Sequence, residues 1–421
     1  MRICLITPGQ PSINPRLVKE ADALQEAGHG VHVLCSHYVR WADEADKVLL
    51  ASRSWKCTYV GGDPSQMSAE YYWTRSRHAL ARRALPLWSS SSFIQHRALV
   101  RIAPELEAAA VKIPADLYIA HYAGALSAAA KAARNHGARL GFDAEDLESA
   151  SYSTANGVSP HDQLLQEIEA RHLPQCDYIT ASSPGIAEAY AAKYGLPLPT
   201  TILNVFPLAH RPEIFRLTRE AGPLTLYWFS QTVGVERGLR DAVGVLGLLR
   251  GCDIELHIRG VLRESVRQEL LAIATSCGAQ RGQLVFHAPG CQDEMVRLAA
   301  AYDVGLALEP GSNRNNDLAI SNKLFTYLLA GNAVAATSTS GQRAVMGKIG
   351  SAEFCYEPGD VESLARGLRF WYEDRGALHR SRKQAWDWST REYNWDAEQR
   401  KFLTVVEGVV SEALAPTATA T

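Results

Sequence analysis

The sequence predicts an α/β protein built from two doubly wound Rossmann-like domains, and three observations carry that prediction. Its 421 residues are too many for one ordinary hydrophobic core and suit two domains of about 200 residues each. Short apolar, β-rich runs alternate with helical patterns all along the chain, the signature of parallel βαβ units. The alternation starts afresh after a stretch from Asn204 to Glu220 that Pro207 and Pro212 interrupt.

Taken in order, strands are expected near Ile3–Thr7, Val31–Cys35, Leu117–Ala120, Leu140–Asp143, Tyr178–Ala181 and Thr201–Leu203, with Ala-rich helices such as Ala125–Asn135 between them. A second set falls near Thr225–Phe229, Glu255–Arg259, Leu284–His287, Val304–Leu308 and Val334–Ala336. Beyond Glu357 the chain reads as helix, through Val361–Tyr372 and again from Asp396 to Leu414. The expected domains are therefore 1–206 and 207–395, with 396–421 a C-terminal helix that packs back on the first domain and ends in a frayed tail. Ligands of open α/β sheets bind beyond the carboxyl ends of strands, so the two domains are expected to face each other across a cleft.

Composition narrows the class of function. A hydrophobic content of 47%, a charged content of 21% and a formal charge of −2 describe an ordinary globular chain without the global basicity that nucleic acid demands. The eight cysteines are scattered, with no CxxC pair and no Cys/His cluster at metal spacing, so they read as reduced thiols and no metal is expected. Met1-Arg-Ile-Cys-Leu-Ile6 is too short for a signal-peptide core, and no apolar run reaches about 18 residues. A cytoplasmic location is the expectation.

The first βα unit carries a helix start: Asn14 is a natural N-cap, Pro15 takes the first helical position, and Leu17, Ala21 and Leu24 share one face. The loop from Thr7 to Asn14, Gly9 included, would present helix N–H groups to an anion, although it is not GxGxxG and an ordinary βα connection explains it equally. In the second half, Val235-Glu-Arg-Gly-Leu239 offers the Arg237 guanidinium for bidentate phosphate contact, and a solvated surface arginine is the plain alternative. Ala319-Ile-Ser-Asn-Lys-Leu-Phe-Thr-Tyr-Leu-Leu-Ala-Gly331 reads as a helix capped by Ser321 or Asn322. Its opening N–H groups and the Lys323 ammonium would receive a phosphate.

These stretches resemble, in the same order, the landmarks of the retaining GT-B glycosyltransferases, the family of glycogen synthase, sucrose synthase and many bacterial polysaccharide glycosyltransferases. Asn14-Pro-Arg-Leu-Val through Ala-Gly-His-Gly-Val31 resembles the family's opening helix and second strand, and the likeness continues in Asp116–His121, Gly141–Glu145, Asp177–Ser183 and Leu203-Asn204. Val235–Leu239 is similar to its Lys/Arg-Gly-Leu turn, and Asp303–Pro310 with Ala319–Gly331 to its donor-binding strand, loop and helix. The resemblance implies the GT-B fold and transfer of a sugar from a nucleotide-diphosphate sugar to a glycan, lipid-linked or small-molecule acceptor, with retention. A role in polysaccharide biosynthesis and no cofactor beyond the donor are further expectations. It casts His121, Arg237 and Lys323 as catalytic, and Gly9, Arg237, Glu309, Asp317, Ser321, Asn322, Lys323 and Thr326 as donor-binding. Asp143 and Glu145 fall on the acceptor side. The family's paired glutamates are Leu318 and Thr326 here, so Asp317 or Glu309 would replace the first, while Thr326 would offer the ribose one hydroxyl. A second arginine common in the family is Thr232.

Two other readings accompany the transferase: a nucleotide-sugar epimerase, and a non-catalytic GT-B partner that binds a nucleotide or glycan. Residues 71–104 hold six arginines and no acid, with Trp73, Trp88 and Phe93 interleaved. Such a surface suits the anionic inner face of a membrane or a lipid-linked acceptor, and a solvated basic helix pair is the alternative.

Overall fold

A parallel sheet covered on both faces needs strands that are apolar on both sides, and this chain supplies them. Ile3, Cys4, Leu5 and Ile6 are all buried, as is every residue from Leu117 to His121 and from Ala333 to Thr337. The computed structural model describes residues 1–152, 157–280 and 282–414. Strands β1 (Arg2–Ile6), β2 (Gly30–Ser36), β3 (Lys56–Val60), β4 (Leu117–His121), β5 (Arg139–Ala144), β6 (Tyr178–Ala181) and β7 (Thr200–Thr201) form one parallel sheet in the order β3, β2, β1, β4, β5, β6, β7. Strands β8 (Leu224–Thr232), β9 (Ile254–Val261), β10 (Leu284–His287), β11 (Val304–Ala307), β12 (Ala333–Thr337) and β13 (Cys355–Tyr356) form a second, in the order β10, β9, β8, β11, β12, β13. Both are doubly wound α/β sheets. In the first the order reverses between β1 and β4, in the second between β8 and β11.

Each sheet belongs to its own compact unit, one of Met1–Ile202 with the segment from Gln399 onward, the other of Leu203–Glu398. Asn14 caps the first helix, Pro15–Glu26, its Oδ1 accepting from the Leu17 N–H at 3.0 Å. The last helix, Trp395–Leu414, begins in the second unit and its residues from Gln399 belong to the first. No helix among the described residues is long and apolar enough to cross a membrane.

Two strands escape the sequence reading, and both are sheet edges. In β3 each residue keeps some exposure, and β13 is two residues long, so neither shows the apolar run that marks a central strand. The strand expected at Thr201–Leu203 shortens to the edge pair Thr200–Thr201.

Gly305, in β11, shows how tightly the second core is filled: a Cβ there would lie 2.0 Å from the ring of Tyr327, itself wholly buried. Gly305→Ala is therefore expected to destabilise the second unit by about 1–3 kcal/mol through overpacking. Gly347→Ala, with open space at its Cβ inside the helix Ser340–Lys348, should instead hold or slightly raise stability. Urea midpoints of the two variants against the parent check the contrast, and equal midpoints for the two would contradict it.

Candidate functional site

Where strand order reverses, the loops leaving the two central strands part in opposite directions and open a crevice at their carboxyl ends. In the second unit these are the loops after β8 and β11, and they gather the charged residues. The turn Val235–Leu239 follows β8. It fits closely because Gly238 adopts φ +77° and a Cβ there would stand 2.5 Å from the Leu308 carbonyl oxygen. The turn leaves Arg237 exposed, one guanidinium nitrogen donating to Ser230 Oγ at 2.8 Å. From the loop after β11, half-buried Glu309 accepts from Ser321 Oγ at 2.7 Å and from Lys323 Nζ at 2.6 Å. Burial opposes ionisation of Glu309, but Lys323, the Ser321 hydroxyl and Arg237 together hold its carboxyl below the ordinary range. Lys323 Nζ also stands 6.0 Å from the centre of the buried Trp228 ring.

Ser321 occupies the N-cap of the helix Asn322–Ala330 but does not cap it, because its hydroxyl is given to Glu309. Exposed Asn322 is the first helical residue. The opening N–H groups are thus left for a ligand, with the positive end of the helix dipole behind them. Lys323 departs from the expectation of a lone point charge, since Glu309 already balances it. Asp317 caps another helix instead of facing a donor: it accepts from Ser340 N at 2.9 Å and Ser340 Oγ at 2.7 Å. Thr326 is wholly buried and its hydroxyl donates to the Asn322 carbonyl at 2.9 Å, which removes it from ribose recognition. Of the two carboxylates considered for the missing glutamate, Glu309 alone stands with Lys323.

Gly9, His121, Asp143 and Glu145 lie in the first unit, at the ends of β1, β4 and β5. Gly9 sits in a loop pinned by Gln10, whose side-chain oxygen accepts from the N–H groups of Tyr38 and Val39, and the Gly9 carbonyl accepts from Ser36 N at 3.1 Å. His121 and Asp143 are each 1% exposed and so do not present themselves to a substrate. They belong to a buried quartet of charges. Arg16 grips Asp143 with two bonds of 2.7 Å, Thr180 Oγ1 adds a third at 2.6 Å, and the imidazole nitrogens of His121 lie 3.3 Å from Glu20 and 3.5 Å from Asp143. Burial disfavours the imidazolium, but Glu20 and then Asp143 outweigh it and raise the His121 pKa. Arg16 and Glu20, one helical turn apart on the apolar face of Leu17, Ala21 and Leu24, were not singled out from the sequence. Two polar residues on a buried stripe were the signal.

Glu145 is placed differently, partly buried rather than sealed, and accepts from the Tyr122 hydroxyl at 3.1 Å. Burial, then the neighbouring Asp146, pushes its carboxyl up to about 7. Lys19, partly buried nearby, has its ammonium pulled down to about 7 by burial and by Arg16. Tyr122 takes φ +68°, a conformation costly for any residue with a Cβ. Together these give an acid–base group near neutrality at the end of β5, where Asp143 gives none.

Removing the cation of the quartet should be expensive. Arg16→Met leaves Asp143 and Glu20 buried without the guanidinium and is expected to cost about 3–5 kcal/mol. Arg2→Met, at the exposed Arg2–Asp116 pair, should cost about 0–1 kcal/mol. The His121 contribution, its folded pKa being raised, is full below the unfolded value and fades as pH rises through the folded one. Urea unfolding across pH measures both effects.

Residues 13–207 match the family model described as a glycosyl transferase 4-like domain. No curated protein matches the sequence. Among solved structures, HepE of Anabaena, determined with UDP and glucose, is 15% identical with a TM-score of 0.68, the match covering 97% of this chain and 100% of that one. Sucrose-phosphate synthase of Thermosynechococcus elongatus is 12% identical with a TM-score of 0.70, covering 98% and 100%. TarM of S. aureus, in complex with fondaparinux, alpha-GlcNAc-glycerol and UDP, is 9% identical with a TM-score of 0.64, covering 96% and 99%. At such identities these likenesses speak for the fold, and the domain match speaks for residues 13–207. Residues 13–207 form a glycosyl transferase 4-like domain, and the chain as a whole has the GT-B fold of a glycosyltransferase.

Proposed function

We propose that the second unit holds a nucleoside-diphosphate sugar and the first unit the acceptor, and that the sugar is transferred with retention of its anomeric configuration. The observation that carries the donor site is the gathering of Arg237, Lys323 and the uncapped start of the helix Asn322–Ala330 around the β8/β11 reversal. Guanidinium, ammonium and helix N–H groups all favour the charge that develops on a leaving diphosphate, so electrostatic stabilisation is the main catalytic device. The HepE structures contain UDP and UDP-glucose, which makes a uridine nucleotide the first donor to try. Glu309 takes the part of the absent family glutamate, accepting hydroxyls of the donor sugar. On the acceptor side Glu145 replaces both Asp143 and His121 as the group able to meet a hydroxyl. The leaving phosphate receives the acceptor proton on the face that it departs from, and no cofactor enters this scheme.

Arg237→Ala tests the donor site most cleanly, because the side chain is exposed and its loss should not disturb folding. Titration calorimetry with UDP should show affinity lower by about 1.5–3 kcal/mol, or about 10- to 150-fold. Turnover should fall with it, while the melting temperature holds. Unchanged affinity for UDP and its relatives would mean that the diphosphate lies elsewhere. Lys323→Ala is the less clean variant, since it also strands the Glu309 carboxylate.

The acceptor is read as a glycan or lipid-linked saccharide met at an anionic membrane, with the protein peripheral. The helices Ala69–Ala84 and Ser92–Leu99, with the segment between them, expose Trp73, Leu80, Leu87, Trp88 and Phe93, an amphipathic surface of the interfacial kind. Trp73 and Leu80, seven residues apart, share one side of their helix. Not every arginine of 71–104 serves such a surface: Arg77 pairs with Glu105, and Arg101 bonds the Gly61 carbonyl and Thr74. Arg75, Arg82 and Arg83 are exposed. Replacing these three with glutamine should release the protein from vesicles containing anionic lipid, each losing about 1 kcal/mol. Equal sedimentation of parent and variant with such vesicles would leave only a solvated basic face.

A further inference from the structure

On β9, alternate residues Glu255, His257 and Arg259 point away from the core formed by Ile254, Leu256 and Ile258. His287, at the end of β10, lies diagonally across the ladder, and the two imidazoles meet edge to edge with centroids 5.2 Å apart and planes 20° apart. Nδ1 of His257 faces Nε2 of His287 at 2.9 Å. The other nitrogen of His257, Nε2, lies 3.0 Å from Glu255 Oε2 and so carries the proton that it donates to that carboxylate. His257 Nδ1 is therefore a lone pair, and a proton on His287 Nε2 fills the gap. Tyr302 Oη stands 3.4 Å from the same His287 nitrogen, its ring stacked on Tyr227 at 4.3 Å and 5°.

We propose that His257 Nδ1 and His287 Nε2 bind one borderline divalent transition-metal ion, of which Zn2+ is the type, with Tyr302 Oη or water completing the shell. This is separate from the sugar-transfer reading and does not depend on it. An ion takes the place of the shared proton, which moves to the Nδ1 of His287, so no charge is lost from either ring. Two nitrogens on a tetrahedral Zn2+, with bonds of about 2.0–2.1 Å, stand about 3.3 Å apart, so the pair must open by about 0.4 Å. Glu255 then does what a carboxylate behind a metal-bound histidine does: it fixes the tautomer and the ring and raises the donor strength of the far nitrogen. The site is half-buried rather than sealed, so an ion can enter and keep water. Arg259 is held off by its bonds to the Tyr227 hydroxyl and the Ala288 carbonyl, and its nearby charge weakens the hold on a cation.

Two other candidate sets lack these features. His96 and His172 face each other at 3.1 Å, but His172 Nδ1 has no partner to orient it. In the set of Glu20, His121 and Asp143 the carboxylates face different nitrogens of one ring, and Arg16 already holds Asp143.

The test is titration of the metal-free protein with zinc chloride by calorimetry. The parent is expected to take up one ion at micromolar affinity, Glu255→Gln to bind about 10-fold more weakly, and the double variant His257→Gln, His287→Gln to lose that ion. The parent loaded with Cu2+ gives a readout that needs no variant, since its electron paramagnetic resonance should show coupling to two imidazole nitrogens. No uptake by the parent at about 1 mM zinc, an undiminished affinity in the folded double variant, or a copper spectrum with oxygen ligands only would each overturn the proposal.

Discussion

The reversal of strand order at β1/β4 and β8/β11 is the constraint on which the rest depends. A right-handed crossover places each helix on one face of the sheet, so a sheet wound outward in both directions from its centre must part its loops there. In the second unit the parted loops carry Arg237 and Glu309, and the helix that follows brings Ser321, Asn322 and Lys323 to the same edge. In the first they carry Gly9, His121 and Tyr122, with Glu145 one strand further on. The same topology supplies the apolar strands that hold these edges in place.

Burial then decides which charged groups can act. A charge out of water persists only when paired, and a paired, sealed charge is not offered to a ligand. His121 and Asp143 meet that fate, because Arg16 and Glu20 rise from the first helix to complete a closed set of two cations and two anions when His121 is protonated. Glu145, only partly covered, keeps its reach, and burial and then the neighbouring Asp146 push its carboxyl up to about 7. The quartet thus fixes the first helix against the ends of β4 and β5, beside the residues able to do chemistry.

Much of this was legible in the sequence because it rests on local patterns. Central strands announce themselves by unbroken apolar runs, Asn14-Pro15 by cap chemistry, and Val235–Leu239 and Asp303–Gly331 by their resemblance to the family's stretches in the same order. Edge strands β3 and β13 were not legible, since a strand half in water carries no such run. Nor were pairings between distant residues, such as Arg16 with Asp143 or Asp317 with Ser340, which depend on tertiary placement. The family resemblance marked His121 and Thr326 as polar groups at site positions, but a resemblance does not report that one is sealed among charges and the other bonded to its own helix.

The pairing of Glu309 with Lys323 bears on how a donor would enter. Lys323 and Glu309 neutralise each other, so the unliganded edge carries the Arg237 charge and the helix dipole, enough to attract a diphosphate without burying an unpaired ammonium. A diphosphate carries more charge than one carboxylate and meets Arg237, Lys323 and the helix N–H groups together, so on the proposed reading it outcompetes Glu309 for the lysine. The displaced carboxylate is repelled by the phosphates and is drawn to the nearest donors, the hydroxyls of the sugar. One residue would then serve both states, holding Lys323 in place before the donor arrives and holding the sugar afterwards. Because Lys323, Ser321 and Arg237 keep Glu309 ionised well below neutrality, that exchange needs no proton at working pH.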